Sequence, residues 1–287
     1  IDIIHAHVPR DYIPASIACL AAKNAHFVLT RHMLSPLKPF NKFALKNLSK
    51  AIGVSEFVGG ELRSVFPHDK VVVIPNGMDV EDRGDRERLR EEFRSLHGLP
   101  MDAPVIGTLG ELRESKGQRD LILAAGEVAK RIPDCRFVIT GLDHTFDKSF
   151  RRDLRRLARV LDLENRFLWL DWLEDTAPFY SAIDVFVSPS HVESFGLAIL
   201  EAMARGTPVV ATATAGAREL LGDDAELVDI RAPVQLAAAI CRALVESDPT
   251  SEALRERAGA KYSLSRMLDD TERLYSEVCH ESQNRER

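Results

Sequence analysis

The chain has 287 residues, 45% of them apolar and 29% charged, with a formal net charge of −6 at pH 7. That length exceeds the ~100–200 residues of one typical domain, so two domains are expected, and the mildly acidic balance gives no reason to expect a nucleic-acid partner. No apolar run reaches the ~20 residues of a membrane span, and Cys19, Cys135, Cys241 and Cys279 are scattered without metal-ligand spacing or a disulfide framework. The first residues also lack the basic start and apolar core of a signal peptide, so a reducing, cytoplasmic setting is expected.

The chain opens on Ile1-Asp2-Ile3-Ile4-His5-Ala6-His7, which reads as a buried strand with no initiator Met. The first domain is therefore expected to lack its N-terminal part, leaving a chain that binds its ligand and turns over poorly. Short β-branched runs then alternate with amphipathic stretches: strands near 2–7, 26–30, 50–54 and 71–74, helices near 12–24, 38–48 and 55–65. After Ile74-Pro75-Asn76-Gly77 the pattern breaks into a charged stretch, 79–90, that suits an exposed connection and a surface helix.

A second series follows: strand 104–109, helix 118–131, strand 136–140, helix 147–161, strand 166–170, helix 176–182 and strand 184–187. Helix 196–204, strand 208–211, a short strand near 226–229 and helices to the end complete it. Strands alternating with helices are the mark of parallel sheets, so the fold class is α/β with two Rossmann-like doubly wound domains, the first incomplete. The divisions are 1–80 for the partial first domain, 81–103 for a linker and surface helix, 104–262 for the second domain and 263–287 for a returning helix.

In such folds ligands sit at the carboxyl ends of strands. One stretch there is Ser188-Pro189-Ser190-His191-Val192-Glu193-Ser194-Phe195-Gly196, which leaves a strand and enters a helix carrying Glu201. Glu193 belongs to the helix mouth and Glu201 about two turns further on, so the two carboxylates can touch different parts of one extended ligand. The amides of Phe195, Gly196 and Leu197 crown a helix N-terminus, which favours oxygen-rich or anionic groups. A second stretch, Gly107 to Gly117, offers Lys116 as a point charge for phosphate, with Arg113 and Gly110 nearby. It does not fit G-x-x-x-x-G-K-[ST], and no G-x-G-x-x-G follows a strand, so ATPase and dehydrogenase readings lose their support.

These residues resemble the retaining glycosyltransferases of family 4, which have the twin-Rossmann GT-B fold. The likeness rests on Glu193-Ser194-Phe195-Gly196 with Glu201-Ala202-Met203-Ala204 and Gly206-Thr207-Pro208-Val209-Val210. Gly110 with Lys116-Gly117, Ile74-Pro75-Asn76-Gly77 with Asp79, and His5-Ala6-His7 add to it. The resemblance implies transfer of a sugar from a nucleoside-diphosphate sugar to a glycan or lipid-linked acceptor, with retention and with neither cofactor nor metal. Glu193, Phe195, Gly196 and Leu197 would hold the donor sugar, Glu201 the ribose, Lys116 the diphosphate, and His7 would face the sugar from the other domain. Lys116 and Glu193 are then expected in one cleft with Glu201.

Departures accompany the matches. Glu111 stands where the family most often has Arg, with Arg113 as its substitute, and Asp143 (in Gly141-Leu142-Asp143, for the usual Gly-x-Gly) and Asp171 replace usual glycines on the nucleobase side. Lys38, Lys42, Lys46 and Lys50 recur at four-residue spacing opposite Leu37, Phe40, Phe43, Ala44 and Leu48, which reads as a basic amphipathic helix. A solvated face packed on its own sheet is the first reading of that helix; peripheral docking on an anionic membrane is the other. A nucleotide-sugar epimerase or phosphorylase on the same fold, or a non-catalytic nucleotide-sugar binding module, are the alternatives for the whole chain.

Overall fold

The computed structural model describes residues 1–22, 25–35, 37, 39–79, 85–222, 225–245 and 250–283. The chain forms two compact units, one of Ile1–Asp79 with Lys261–Arg287, the other of Val80–Ala260.

Unit 1 is a parallel sheet in the order β1 (Ile3–Ala6), β2 (His26–Arg31), β3 (Leu48–Gly53), β4 (Val71–Val73). Its crossovers contain α1 (Tyr12–Ala21), α2 (Pro39–Ala44) and α3 (Glu56–Arg63). Each crossover steps one strand in the same direction, and right-handed crossovers then place all three helices on one face. The other face is covered by a segment distant in sequence. Leu274 and Met267 of α12 (Leu264–Gln283) pack on Val28, Ile52 and Ile74. α3 starts where Ser55 accepts a hydrogen bond from the Val58 amide, an N-cap that satisfies one orphan donor.

The expected basic helix is not formed as predicted. α2 ends at Ala44, Lys46 lies beyond it with its Nζ 5.5 Å from the centre of the Phe43 ring, and Lys50 belongs to β3, where Nζ donates to the Asp69 carbonyl at 3.0 Å. Lys38 lies outside the described residues. The β-sheet claimed the end of this stretch because Leu48, Ala51 and Ile52 bury apolar surface in a strand paired with both β2 and β4, which outweighs the helical recurrence of lysines.

Unit 2 begins with α4 (Arg86–Leu96), N-capped by Asp85, and carries six parallel strands in the order β10-β9-β8-β5-β6-β7. The strands are β5 (Val105–Leu109), β6 (Arg136–Thr140), β7 (Phe167–Leu170), β8 (Val185–Ser188), β9 (Val209–Thr212) and β10 (Leu227–Val228). Between them run α5 (Gln118–Arg131), α6 (Ser149–Val160), α7 (Ala177–Ala182), α8 (Leu197–Ala204) and α9 (Ala215–Leu221), with α10 (Pro233–Val245) and α11 (Thr250–Lys261) after the last strand. Ile106, Phe137, Val185 and Val210 of the sheet share one buried cluster with Leu121, Val128, Leu154 and Ile240 of the helices.

α4 is more than a surface helix. Arg94 is 0% exposed, its Nη2 2.9 Å from Asp184 Oδ2, and its other nitrogens donate to the carbonyls of Ala182, Pro100, Met101 and Ala103. Arg90 reaches the other oxygen of Asp184 at 2.8 Å. Nothing local marks Arg94 among the charges of this helix; its partner stands 90 residues away.

Candidate functional site

The strand order of unit 2 reverses between β5 and β8, which lie side by side, so the loops leaving their carboxyl ends diverge and open a crevice. Both motif stretches follow these two strands. They are laced together: the His191 amide donates to the Ser115 carbonyl at 2.8 Å, and His191 Nε2 meets Asp120 Oδ2 at 2.7 Å. Gly117 allows this approach, because its φ of +68° is left-handed and an added Cβ would stand 1.9 Å from the Pro189 carbonyl oxygen.

Lacing brings the two predicted charges into contact. Lys116 Nζ donates to Glu193 Oε2 at 2.7 Å, and Ser190 Oγ lies 3.4 Å from the same oxygen. The ammonium has three protons, so it can keep Glu193 and still turn donors toward an incoming phosphate. Glu193 is followed by buried Phe195 and by Gly196 (φ +100°), whose carbonyl accepts from Leu200 in the first turn of α8. Leu197, half-exposed, opens the helix, whose dipole favours oxygen-rich groups at this end.

Glu201 sits one turn inside α8, where Thr176 Oγ1 donates to its Oε2 at 3.0 Å. Burial raises its pKa above the ordinary carboxylate value, against the opposing pull of the Thr176 and Tyr180 hydroxyls and of Arg205. It lines a cleft of about 380 Å³ together with Gly110, Glu111, Thr140, Leu142, His144 and Trp172. Lys116 and Glu193 are not among the lining residues, although Lys116 Cδ comes within 3.9 Å of where a Cβ on Gly110 would be. Arg113 is also outside that lining and pairs with Glu111 at 3.3 Å, both side chains well exposed. Arg113, the expected substitute cation for the diphosphate, thus engages the carboxylate that stands in the usual arginine's place.

Sequence reasoning gave no role to Trp172, His144, Thr140 or Thr176. Trp172 is 72% exposed at the cleft and Thr176 orients Glu201. Their signal was positional: Thr140 closes β6, and Trp172 follows β7. An aromatic ring exposed at a largely apolar cleft with a few polar groups is a feature of ligand sites.

In unit 1, His7 follows β1 and stacks on His32, which follows β2; their rings are 5.6 Å apart and His7 Nδ1 is 3.3 Å from His32 Nε2. His5 is held by Tyr275 Oη at Nδ1 (2.6 Å) and Thr30 Oγ1 at Nε2 (2.7 Å). Burial, then the neighbouring His7 and His32, lowers the His5 pKa to about 4. Burial likewise lowers that of His32, with His7 adding to it.

Among the described residues no helix is long and apolar enough to cross a membrane. The family described as Glycosyl transferases group 1 matches residues 89–261, and Glycosyltransferase Family 4 matches residues 1–82. A D-inositol 3-phosphate glycosyltransferase of Corynebacterium urealyticum is 36% identical over 186 residues, 62% of this chain and 44% of that protein. A lipopolysaccharide core biosynthesis glycosyltransferase of Rhizobium meliloti is 37% identical over 139 residues, 48% of this chain and 38% of its own length. The chain spans about half the length of the curated relatives it matches. A glycosyltransferase structure from Rickettsia africae superposes with a TM-score of 0.87 at 26% identity, covering 97% of this chain and 77% of that one, and its fold is the GT-B type. With a family match over residues 89–261 and parallel strand–helix units throughout, the chain belongs to the glycosyl transferases of group 1.

Proposed function

We propose that this chain moves a sugar from a nucleoside-diphosphate donor to a glycan or lipid-linked acceptor with retention of anomeric configuration. The observation that carries the reading is the Lys116–Glu193 contact of 2.7 Å at the point where the strand order reverses, beside the cleft that holds Glu201. Breaking the anomeric C–O bond leaves positive charge on the sugar and negative charge on the departing diphosphate. Lys116 and the amino end of α8 stabilise the second, and Glu193 takes donor-sugar hydroxyls with the amides of Phe195, Gly196 and Leu197.

Glu201 accepts from the ribose, with the nucleoside in the cleft beside Gly110 and Trp172. Arg113 assists at the phosphates once released from Glu111, and His7 is the residue of unit 1 assigned to the transfer. Retention is assigned to front-face attack, in which the leaving phosphate oxygen takes the acceptor's proton, so no protein base is named. The positive charge comes from Lys116, and no metal is assigned. The two curated relatives are named for D-inositol 3-phosphate and for lipopolysaccharide core, which supports a hydroxyl-bearing acceptor. Four free thiols support a reducing, cytoplasmic setting.

The test is calorimetric titration of the chain with UDP, GDP, ADP and their sugars, followed by NMR of the transferred anomeric centre. Saturable binding of one nucleotide, weakened about 10–100-fold by Lys116→Met, is expected, since a hydrogen bond to a charged group contributes about 1.5–3 kcal/mol. Binding indifferent to Lys116→Met, an inverted product, or transfer abolished by EDTA would each overturn the corresponding part.

A further inference from the structure

Arg31 closes β2 and is only 3% exposed. Strand alternation puts it on the face of Phe27 and Leu29, the one covered by α1 and opposite the face where Val28 meets α12. The Tyr12 hydroxyl, which donates to the Thr30 carbonyl at 2.9 Å, lies against its guanidinium. Nη2 makes a long bond of 3.3 Å to the Ser35 hydroxyl. Nη1 is buried with no hydrogen-bond partner, and no carboxylate among the described residues forms an ion pair with Arg31. Asp11, the acidic residue just ahead of α1, instead pairs with Arg10 at 3.7 Å.

A buried guanidinium normally has a carboxylate beside it, because removing its charge from water is costly and a partner offsets that cost. Among the described residues, the polar side chains in contact with Arg31 are the hydroxyls of Tyr12 and Ser35. The amino end of α1, whose N-cap Asp11 makes no side-chain cap bond, adds positive potential at the same end of the sheet. This is also the carboxyl end of the strands, where ligands of parallel sheets bind. A planar fork with unused protons, next to a second source of positive potential, fits two oxygens of one tetrahedral oxyanion.

We propose that Arg31 is the cation of an oxyanion subsite on unit 1, reached when the exposed Ser35 hydroxyl moves aside, and that the acceptor carries a phosphate group there. The second half rests on the proposed function, in which Lys116, Glu193 and Glu201 of unit 2 hold the donor and unit 1 is left to take the acceptor.

The experiment titrates the full chain with inorganic phosphate and with glycerol 3-phosphate at constant ionic strength set with chloride, by calorimetry and thermal shift. Lys116→Met serves as the background that removes the diphosphate cation of unit 2. Both ions are expected to bind Lys116→Met saturably and to compete with each other. Adding Arg31→Gln is expected to weaken both at least tenfold while the unliganded melting temperature does not fall, because an unpaired buried charge has been removed. Should Arg31→Gln not fold, Arg31→Lys keeps the charge without the fork and is expected to lose affinity several-fold.

Phosphate affinity unchanged in both Arg31 variants overturns the subsite. Phosphate binding without competition from glycerol 3-phosphate overturns the acceptor assignment, since the site would then take only the free ion. Nucleoside-diphosphate affinity measured in Arg31→Gln alone is expected to stay within twofold of the unaltered chain; a loss equal to that for phosphate would assign Arg31 to the donor instead. Loss of nucleotide binding in the unaltered chain would strike the donor reading, not the subsite.

Discussion

Glu193 and Glu201 differ in what surrounds them, and that difference predicts different roles. Glu193 is held by the Lys116 ammonium, whereas Glu201 is buried against the hydroxyls of Thr176 and Tyr180, with Arg205 acting on it more weakly, and has its pKa raised by burial. The folded pKa of Glu201 lies above its unfolded value of 4.5, so the stability it contributes is full below pH 4.5 and is lost as pH rises through the folded value. Above its folded pKa the ionised form therefore costs stability. Glu201→Gln is expected to raise the melting temperature of the unliganded chain and to weaken nucleoside-diphosphate binding by about tenfold or more, read by thermal melts and calorimetry. Glu193→Gln is expected to leave nucleotide affinity within a few-fold while lowering turnover with the nucleotide-sugar. Equal effects of both changes on free nucleotide would undo the division of roles. Both carboxylates were legible in the sequence as residues; their unequal environments were not, because Thr176 reaches Glu201 from α7's entrance rather than from its own helix.

At the scale of elements, two joints fix the site. One is the turn at Gly117. Gly117→Ala would force a Cβ to within 1.9 Å of the Pro189 carbonyl at a left-handed φ, so the β5 and β8 loops must part. The expected cost is about 1–3 kcal/mol of stability together with at least a tenfold loss of nucleotide affinity. Gly126→Ala in α5 is the matched control: nothing lies within 4 Å of its added Cβ, and it is expected to stabilise by up to about 1 kcal/mol. Melts that rank the two substitutions in the opposite order would contradict this account of the turn. The other joint is α4 on β8. Arg94→Met leaves Asp184 with Arg90 but takes the buried donor from the carbonyls of Ala182, Pro100, Met101 and Ala103, and the unfolding free energy measured in urea is expected to fall by about 1–3 kcal/mol. Adding Asp184→Asn is expected to deepen that loss, because Arg90 and the Val105 amide then lose the same carboxylate. This helix was legible in the sequence and its anchor was not, since one buried arginine looks like any other in a run of charges.

For the whole molecule, acidification destabilises through unit 1. His5 takes a proton at 6.5 when unfolded and near 4 when folded, so the unfolded chain binds more protons between those values. The stability contributed by a neutral His5 is present above pH 6.5 and declines as pH falls toward 4. His5 touches Tyr275 of α12, the helix that covers the second face of the unit 1 sheet. Acidification over this window is therefore expected to speed amide exchange in α12 and β1 ahead of the strands of unit 2. His5→Gln is expected to flatten that response, while a response that persists unchanged would place the titrating group elsewhere. The crossovers of unit 1 explain the arrangement: all three intervening helices fall on one face, and α12 packs on the other.

The sequence by itself determined the alternation of strands and helices, the placing of both motif stretches at strand ends, and the resemblance to sugar transferases. These are local properties: β-branched runs, helix periodicity and a glycine at a turn depend on neighbours a few residues away. Only the tertiary structure decided which charges meet. Lys116 and Glu193 are 77 residues apart, Arg94 and Asp184 are 90 apart, and the strand order that joins them is set by crossover packing rather than by any residue near them. The lysine helix marks the same boundary from the other side. Its spacing was helical, yet burial of Leu48, Ala51 and Ile52 against the sheet drew Lys50 into β3, because the area removed from water outweighs a few tenths of a kcal/mol in local propensity.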